Sequence, residues 1–77
     1  METDKILIYP NPTTGDFTIY NSNPKFSVEI FNLIGQKILG KQSMNSNSLS
    51  VSKLPKGIYL IKITDGTQSI IKKIVIN

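Results

Sequence analysis

Cysteine, histidine, arginine, tryptophan and alanine are all missing from this chain of 77 residues, and each gap removes a class of behaviour. Without cysteine there is no disulfide to reinforce the fold, no thiol nucleophile and no thiolate metal ligand. Without histidine the usual neutral-pH acid–base group and the commonest metal ligand are gone. Arginine supplies the rigid fork that pairs with guanine edges, so its loss argues against base reading on DNA. A set rich in isoleucine, valine, threonine and aromatics, with no alanine, favours pleated half-buried strands over helices. Long apolar runs are lacking too. Ile6-Leu7-Ile8-Tyr9, Ile58-Tyr59-Leu60-Ile61 and Ile74-Val75-Ile76 fall far short of the ~20 residues a membrane span needs, so no transmembrane segment is expected. The start, Met1-Glu2-Thr3-Asp4, is acidic and leads into no hydrophobic stretch of about 7–15 residues, which argues against a cleavable leader.

The residues that are present assemble no reaction centre. The five acids (Glu2, Asp4, Asp16, Glu29 and Asp65) do not cluster, and none is marked out as one of an acid–base pair. Asp16 or Asp65 with turn carbonyls could be imagined around calcium, but the looped acidic spacing of calcium motifs is lacking. Serine has only lysine as a base, and a catalytic lysine needs a desolvating cleft that a thin domain rarely builds. The glycines at 35, 40, 57 and 66 sit at turns or strand ends and form no phosphate cradle. The expectation is no enzyme, no metal and no cofactor.

The net charge is +4, from nine lysines and five acids. The lysines spread from Lys5 to Lys73 with only Lys72 and Lys73 adjacent, which suits a solvated surface better than a nucleic-acid groove. Most of the aromatics fall on core-facing positions. Tyr59 near Lys62 is the best imitation of a stacking platform, and a buried aromatic is the simpler reading there. No nucleic-acid partner is expected.

Short β-type runs recur about every ten residues between Gly, Pro and Asn signals, the pattern of a sandwich or small barrel. The spacing predicts strands over Ile6–Tyr9, Asp16–Tyr20, Phe26–Phe31, Gln36–Lys41, Ser48–Val51, Gly57–Thr64 and Gln68–Ile76. Phe17/Ile19, Phe26/Val28/Ile30 and Leu49/Val51 alternate clearly. Tyr59, Ile61 and Ile63 share one face, while Ile58 and Leu60 make the other face apolar. Such a strand belongs near the middle of a sheet or where a partner docks. Asn32-Leu33-Ile34-Gly35 should join strands three and four as a hairpin, and Asp65-Gly66 the last two. A helix over Asn32–Leu39 is opposed by Gly35 at its centre. Leu54-Pro55-Lys56-Gly57 reads as a turn. Lys41–Asn47 is polar and patternless, a mobile loop by this reading. With 77 residues and no internal repeat, one domain is expected, its core spanning about 6–76.

The most specific stretch is Tyr9-Pro10-Asn11-Pro12-Thr13-Thr14-Gly15. Two residues precede prolines and both prolines lock φ, so a stiff, polyproline-like segment is predicted, ending in a turn with Gly15 at positive φ. Three further stretches follow in order. They are Val28–Ile38 with Leu33 and Gly35, Leu54–Ile63 with Gly57, Tyr59 and Lys62, and the closing Lys73-Ile74-Val75-Ile76. Together these resemble the C-terminal sorting domain (type A) of type IX secretion cargo in Bacteroidetes, over about Ile6 to Asn77. The resemblance implies that Pro10, Asn11, Pro12 and Gly15 form the family's proline motif. Leu33 and Gly35 take its hairpin positions, Gly57, Tyr59 and Lys62 its Gly-x-Tyr motif, and Lys73 its terminal strand.

The fold so implied is an all-β, immunoglobulin-like β-sandwich of about seven antiparallel strands. The function implied is a sorting signal behind an N-terminal cargo domain, with the chain an excised piece of a larger secreted protein. Its partners would be the outer-membrane translocon and a cell-surface sortase that removes the tail, leaving cargo released or joined to an anionic lipopolysaccharide. The localisation implied is the periplasm in transit, then the cell surface or the exterior. The alternative readings are a β-sandwich adhesion or carbohydrate-binding module, disfavoured by the lack of tryptophan, and a small nucleic-acid-binding barrel.

Overall fold

Period-two alternation decides which way each strand faces. In the computed structural model, which describes residues 6–66 and 68–77, seven strands form. They are β1 (Ile6–Tyr9), β2 (Phe17–Asn21), β3 (Ser27–Asn32), β4 (Lys37–Ser43), β5 (Ser48–Val51), β6 (Gly57–Asp65) and β7 (Gln68–Ile76). A three-stranded sheet in the order β1-β2-β5 faces a four-stranded sheet in the order β4-β3-β6-β7, and every ladder is antiparallel. Strands one, two and five against four, three, six and seven is an immunoglobulin-like sandwich whose fourth strand pairs with the third.

The core lies between the sheets. Phe17 and Ile19 of β2 meet Val28 and Ile30 of β3, Tyr59, Ile61 and Ile63 of β6, and Ile74 and Ile76 of β7, with Phe26 beside them. Each fully buried isoleucine is worth about 1.5–3 kcal/mol of apolar transfer. β6 sits between β3 and β7, as its two apolar faces required, and its outward face leaves Ile58 39% exposed. The aromatics divide. Phe17, Phe26 and Tyr59 are buried, but Phe31 follows inward-facing Ile30 and is only half-buried, and Tyr9 is half-exposed. The expectation that most aromatics point inward is corrected accordingly.

Two connections form as their turn residues require. Asn32 accepts from the Gly35 N–H at 3.0 Å and takes the Ile34 and Gln36 N–H groups on its Oδ1, at 3.2 and 2.9 Å. Gly35, at φ +86°, supplies the left-handed residue of this β3–β4 hairpin. Across the last hairpin Asp65 faces Gln68, with Gly66 at φ +64°. The Lys41–Asn47 reading is corrected: Lys41–Ser43 belong to β4, paired through Ser27↔Ser43 and Val28↔Gln42. Beyond them the Met44 N–H donates to the Phe26 carbonyl at 2.7 Å and the Asn21 N–H to the Asn47 carbonyl at 2.8 Å. Ladder pairing needs backbone only, so an edge strand can carry polar, unpatterned side chains.

Candidate functional site

The registers gather the sequence motifs at one end of the sandwich. Tyr9 pairs with Thr18, Phe17 with Val51, Asn32 with Tyr59 and Gly57 with Ile76. That end therefore holds the 10–16 crossover, the 33–35 hairpin tip, the 52–56 connection and the end of β7. Pro10, Asn11, Pro12, Gly15, Leu33, Gly35, Gly57 and Tyr59 all lie on it, with Lys73 just below. Lys62 does not join them: it faces outward in the middle of the sheet, between Glu29 of β3 and Ile71 of β7.

The 10–15 segment carries the chain from the first sheet to the outer edge of the second. There Asn11 behaves as a strand residue would. Its Nδ2 donates to the Lys73 carbonyl at 3.1 Å, and its Oδ1 accepts the Val75 N–H at 3.2 Å. Thr13 completes a short parallel bridge, donating its N–H to the Val75 carbonyl at 2.9 Å and accepting the Asn77 N–H at 2.7 Å. This corrects the polyproline-like reading. A polyproline helix leaves its backbone to water, whereas residues 10–15 are bends on either side of the Thr13 bridge, held by the β7 edge. The rings of Pro10 and Pro12 are exposed, while Gly15 is buried against the Leu54 carbonyl.

Thr13 was not singled out by sequence reasoning. It is 4% exposed, and its Oγ1 donates to the Asp16 carbonyl at 2.6 Å and accepts the Gly15 N–H at 3.3 Å. A threonine two residues before a turn glycine is the local signal that could have marked it.

Tyr59 is buried, and its hydroxyl donates to the Pro55 carbonyl at 2.6 Å. A tyrosine at the start of this strand bonded to backbone just upstream is the tyrosine corner of immunoglobulin-like sandwiches. The expected Leu54–Gly57 turn is an irregular connection with a bend at Lys56, and Gly57, at φ +152°, a conformation that side chains resist, opens β6 so that Tyr59 lies beneath the 54–57 segment. With its ring inside, Tyr59 offers no stacking platform next to Lys62. Leu33 and Ile34 at the hairpin tip are 61% and 86% exposed. The outer face of the four-stranded sheet is mixed: Ile58, Leu60, Ile71 and Val75 stand among Lys62 and Lys73, and Glu29 meets Lys37 at 3.3 Å.

Among the described residues no group of three or more acids gathers as a metal site. No described helix is long and apolar enough to cross a membrane. The arrangement can hold shape and present edges.

Comparison with known proteins matches the profile of the family described as secretion system C-terminal sorting domain over residues 7–77. The chain is 37% identical over 76 residues to β-agarase D of Zobellia galactanivorans, covering 97% of this chain and 16% of the agarase. It is 32% identical over 75 residues to ulvan lyase NLR42 of Nonlabens ulvanivorans, covering 91% of this chain and 14% of the lyase. The chain thus spans less than a fifth of the length of either relative.

Proposed function

This chain belongs to the secretion system C-terminal sorting domain family, and from that premise we propose how the sorting signal works and what it serves. The profile match over residues 7–77, which takes in all four motifs, is the observation that carries the reading. The domain is a type IX sorting signal. It rides at the C-terminus of a larger secreted protein, behind a cargo domain, and takes no catalytic part itself. The translocon recognises a rigid β-surface made by the motif end and the last strand. Pro10, Asn11, Pro12 and Gly15 hold the end of β7 in place, and Gly57 and Tyr59 set the opposite wall. Lys62 and Lys73 give the sheet face its positive charge. The cargo passes through the periplasm and the outer membrane to the cell surface or beyond, and a cell-surface sortase removes the tail. Two relatives named for polysaccharide breakdown make an enzyme acting on a polysaccharide a reasonable cargo class.

The test is a fusion of residues 1–77 behind a signal peptide and a reporter, in a bacterium that has this pathway. Reporter in the medium or on the surface is expected. Retention in the periplasm, under conditions where a known tail exports the same reporter, would overturn the reading.

A further inference from the structure

β7 ends the four-stranded sheet, so one side of its backbone faces outward. In an antiparallel pair those outward groups belong to alternate residues. Val75 identifies the set, because its N–H and C=O go to Asn11 and Thr13 rather than to β6. The β6–β7 register runs from Asp65↔Gln68 to Gly57↔Ile76 without a shift, so Lys73, Ile71 and Ser69 face outward as well. The Lys73 carbonyl is taken by Asn11. Five backbone groups are left without a partner among the described residues: both of Ser69, both of Ile71 and the N–H of Lys73.

Proteins ordinarily blunt such an edge with proline, bulges, charge or a covering segment. Among the described residues the covering is confined to one half. Asn11 and Thr13 close the stretch from the Lys73 carbonyl to Asn77, and the bulges of this sheet lie on the far side, between β3 and β4. The uncovered half pairs with β6 without a register shift, and it exposes an isoleucine on each face, Ile70 at 37% and Ile71 at 64%. Lys72 and Lys73 then place a cation on each face. Glu29, across the sheet beside Lys62, already gives its carboxylate to Lys37. Donors and acceptors alternating at strand spacing are matched by another strand's backbone, and the local charge favours acid.

We infer that Ser69–Lys73 is a strand-acceptor edge. It takes one extended segment of the secretion machinery by backbone pairing, with an apolar side chain beside Ile71 and an acidic one beside Lys73. The covering segment at Asn11 stops that added strand at Lys73 and so sets its register. The inference rests on the sorting-signal reading above.

Ile71→Pro tests it, because the lost N–H is not used by β6 and proline is tolerated at such an edge position. Export of the tail-fused reporter should fall at least tenfold, while the purified tail keeps its circular dichroism and melts within a few degrees of the unaltered chain. Should Ile71→Pro fail to fold, Ile71→Glu keeps the backbone and sets a carboxylate beside the apolar side chain of the added strand, two residues from its acidic one; it should lower export as far. Lys73→Glu should lower it several-fold. A folded Ile71→Pro or Ile71→Glu tail that exports like the unaltered one overturns the strand-acceptor edge and leaves the sorting signal standing. Failure of the unaltered tail to export overturns the sorting signal itself.

Discussion

Asn11 and Val75 lie 64 residues apart in sequence, yet the Asn11 carboxamide receives the Val75 N–H at 3.2 Å as a neighbouring strand's carbonyl would. The same side chain donates to the Lys73 carbonyl at 3.1 Å. A carboxamide carries its donor and its acceptor on separate atoms, as a strand's backbone does, so it can serve both groups at once.

Asn11→Asp keeps the size and loses the donor, setting a carboxylate against the Lys73 carbonyl. A loss of about 1–2 kcal/mol of stability is expected, at the scale of a hydrogen bond removed with its partner left in place. The check is urea denaturation, together with hydrogen exchange at Val75 and Asn77. Both amides should exchange faster, and unchanged protection would show that Asn11 does not hold this edge.

Tyr59→Phe removes only the hydroxyl that reaches Pro55, at 2.6 Å. The expected loss is about 0.5–1.5 kcal/mol, with the fold retained. Tyr59→Ala should cost about 3–5 kcal/mol, because it empties part of the core as well. A melting series of the three proteins separates the two contributions, and equal losses would place the whole effect in the hydroxyl.

Gly57 and Gly40 make a paired control. Gly57 sits at φ +152°, and an added Cβ there would stand 3.7 Å from the Tyr59 ring. Gly57→Ala should therefore cost about 1–3 kcal/mol through backbone strain rather than collision. Gly40 lies in an exposed strand with open space where a Cβ would stand. Gly40→Ala is expected to be neutral or to stabilise by up to about 1 kcal/mol. Thermal unfolding that ranked the two the other way would refute the backbone account of the motif glycine.

At the opposite end Asp65 ties two loops, accepting from Asn23 Nδ2 at 2.6 Å and from Asn21 Nδ2 at 3.4 Å. Asn21 is fully buried, so its amide depends on these partners. Asp65→Ala should cost about 1–2 kcal/mol, below the range for a fully buried charged bond because the site is half-open. A shifted denaturation midpoint at constant slope is the expected signature. Since this end carries none of the motifs, reporter export should fall only as far as stability does.

Much of this molecule was legible locally. Alternation at Phe17/Ile19 and Val28/Ile30 is a period-two signal that survives folding, because both sheets bury one face. Asn32–Gly35 and Asp65-Gly66 announced their hairpins through residues that suit positive φ. Strand ends were less legible. β4 runs on to Ser43 because backbone pairing with Ser27 and Val28 extends it, and an edge strand needs no hydrophobic pattern to be paired. The 10–15 segment read as a free stiff run because prolines advertise φ and say nothing about which edge will receive the chain.

The seven strands, the two hairpins and the membership of a sorting-domain family follow from residues close together in the chain. Their signals are alternation, turn geometry and motif spacing, all set by short-range sterics and by burial of one face. Folding alone settled which residues meet across the sandwich. Sheet order places Asn11 on β7, brings the Tyr59 hydroxyl to the Pro55 carbonyl and leaves the outward side of β7 from Ser69 to the Lys73 N–H without a neighbour among the described residues. Those contacts depend on which strands become neighbours, and that comes from the packing of the whole core rather than from any single stretch of the chain.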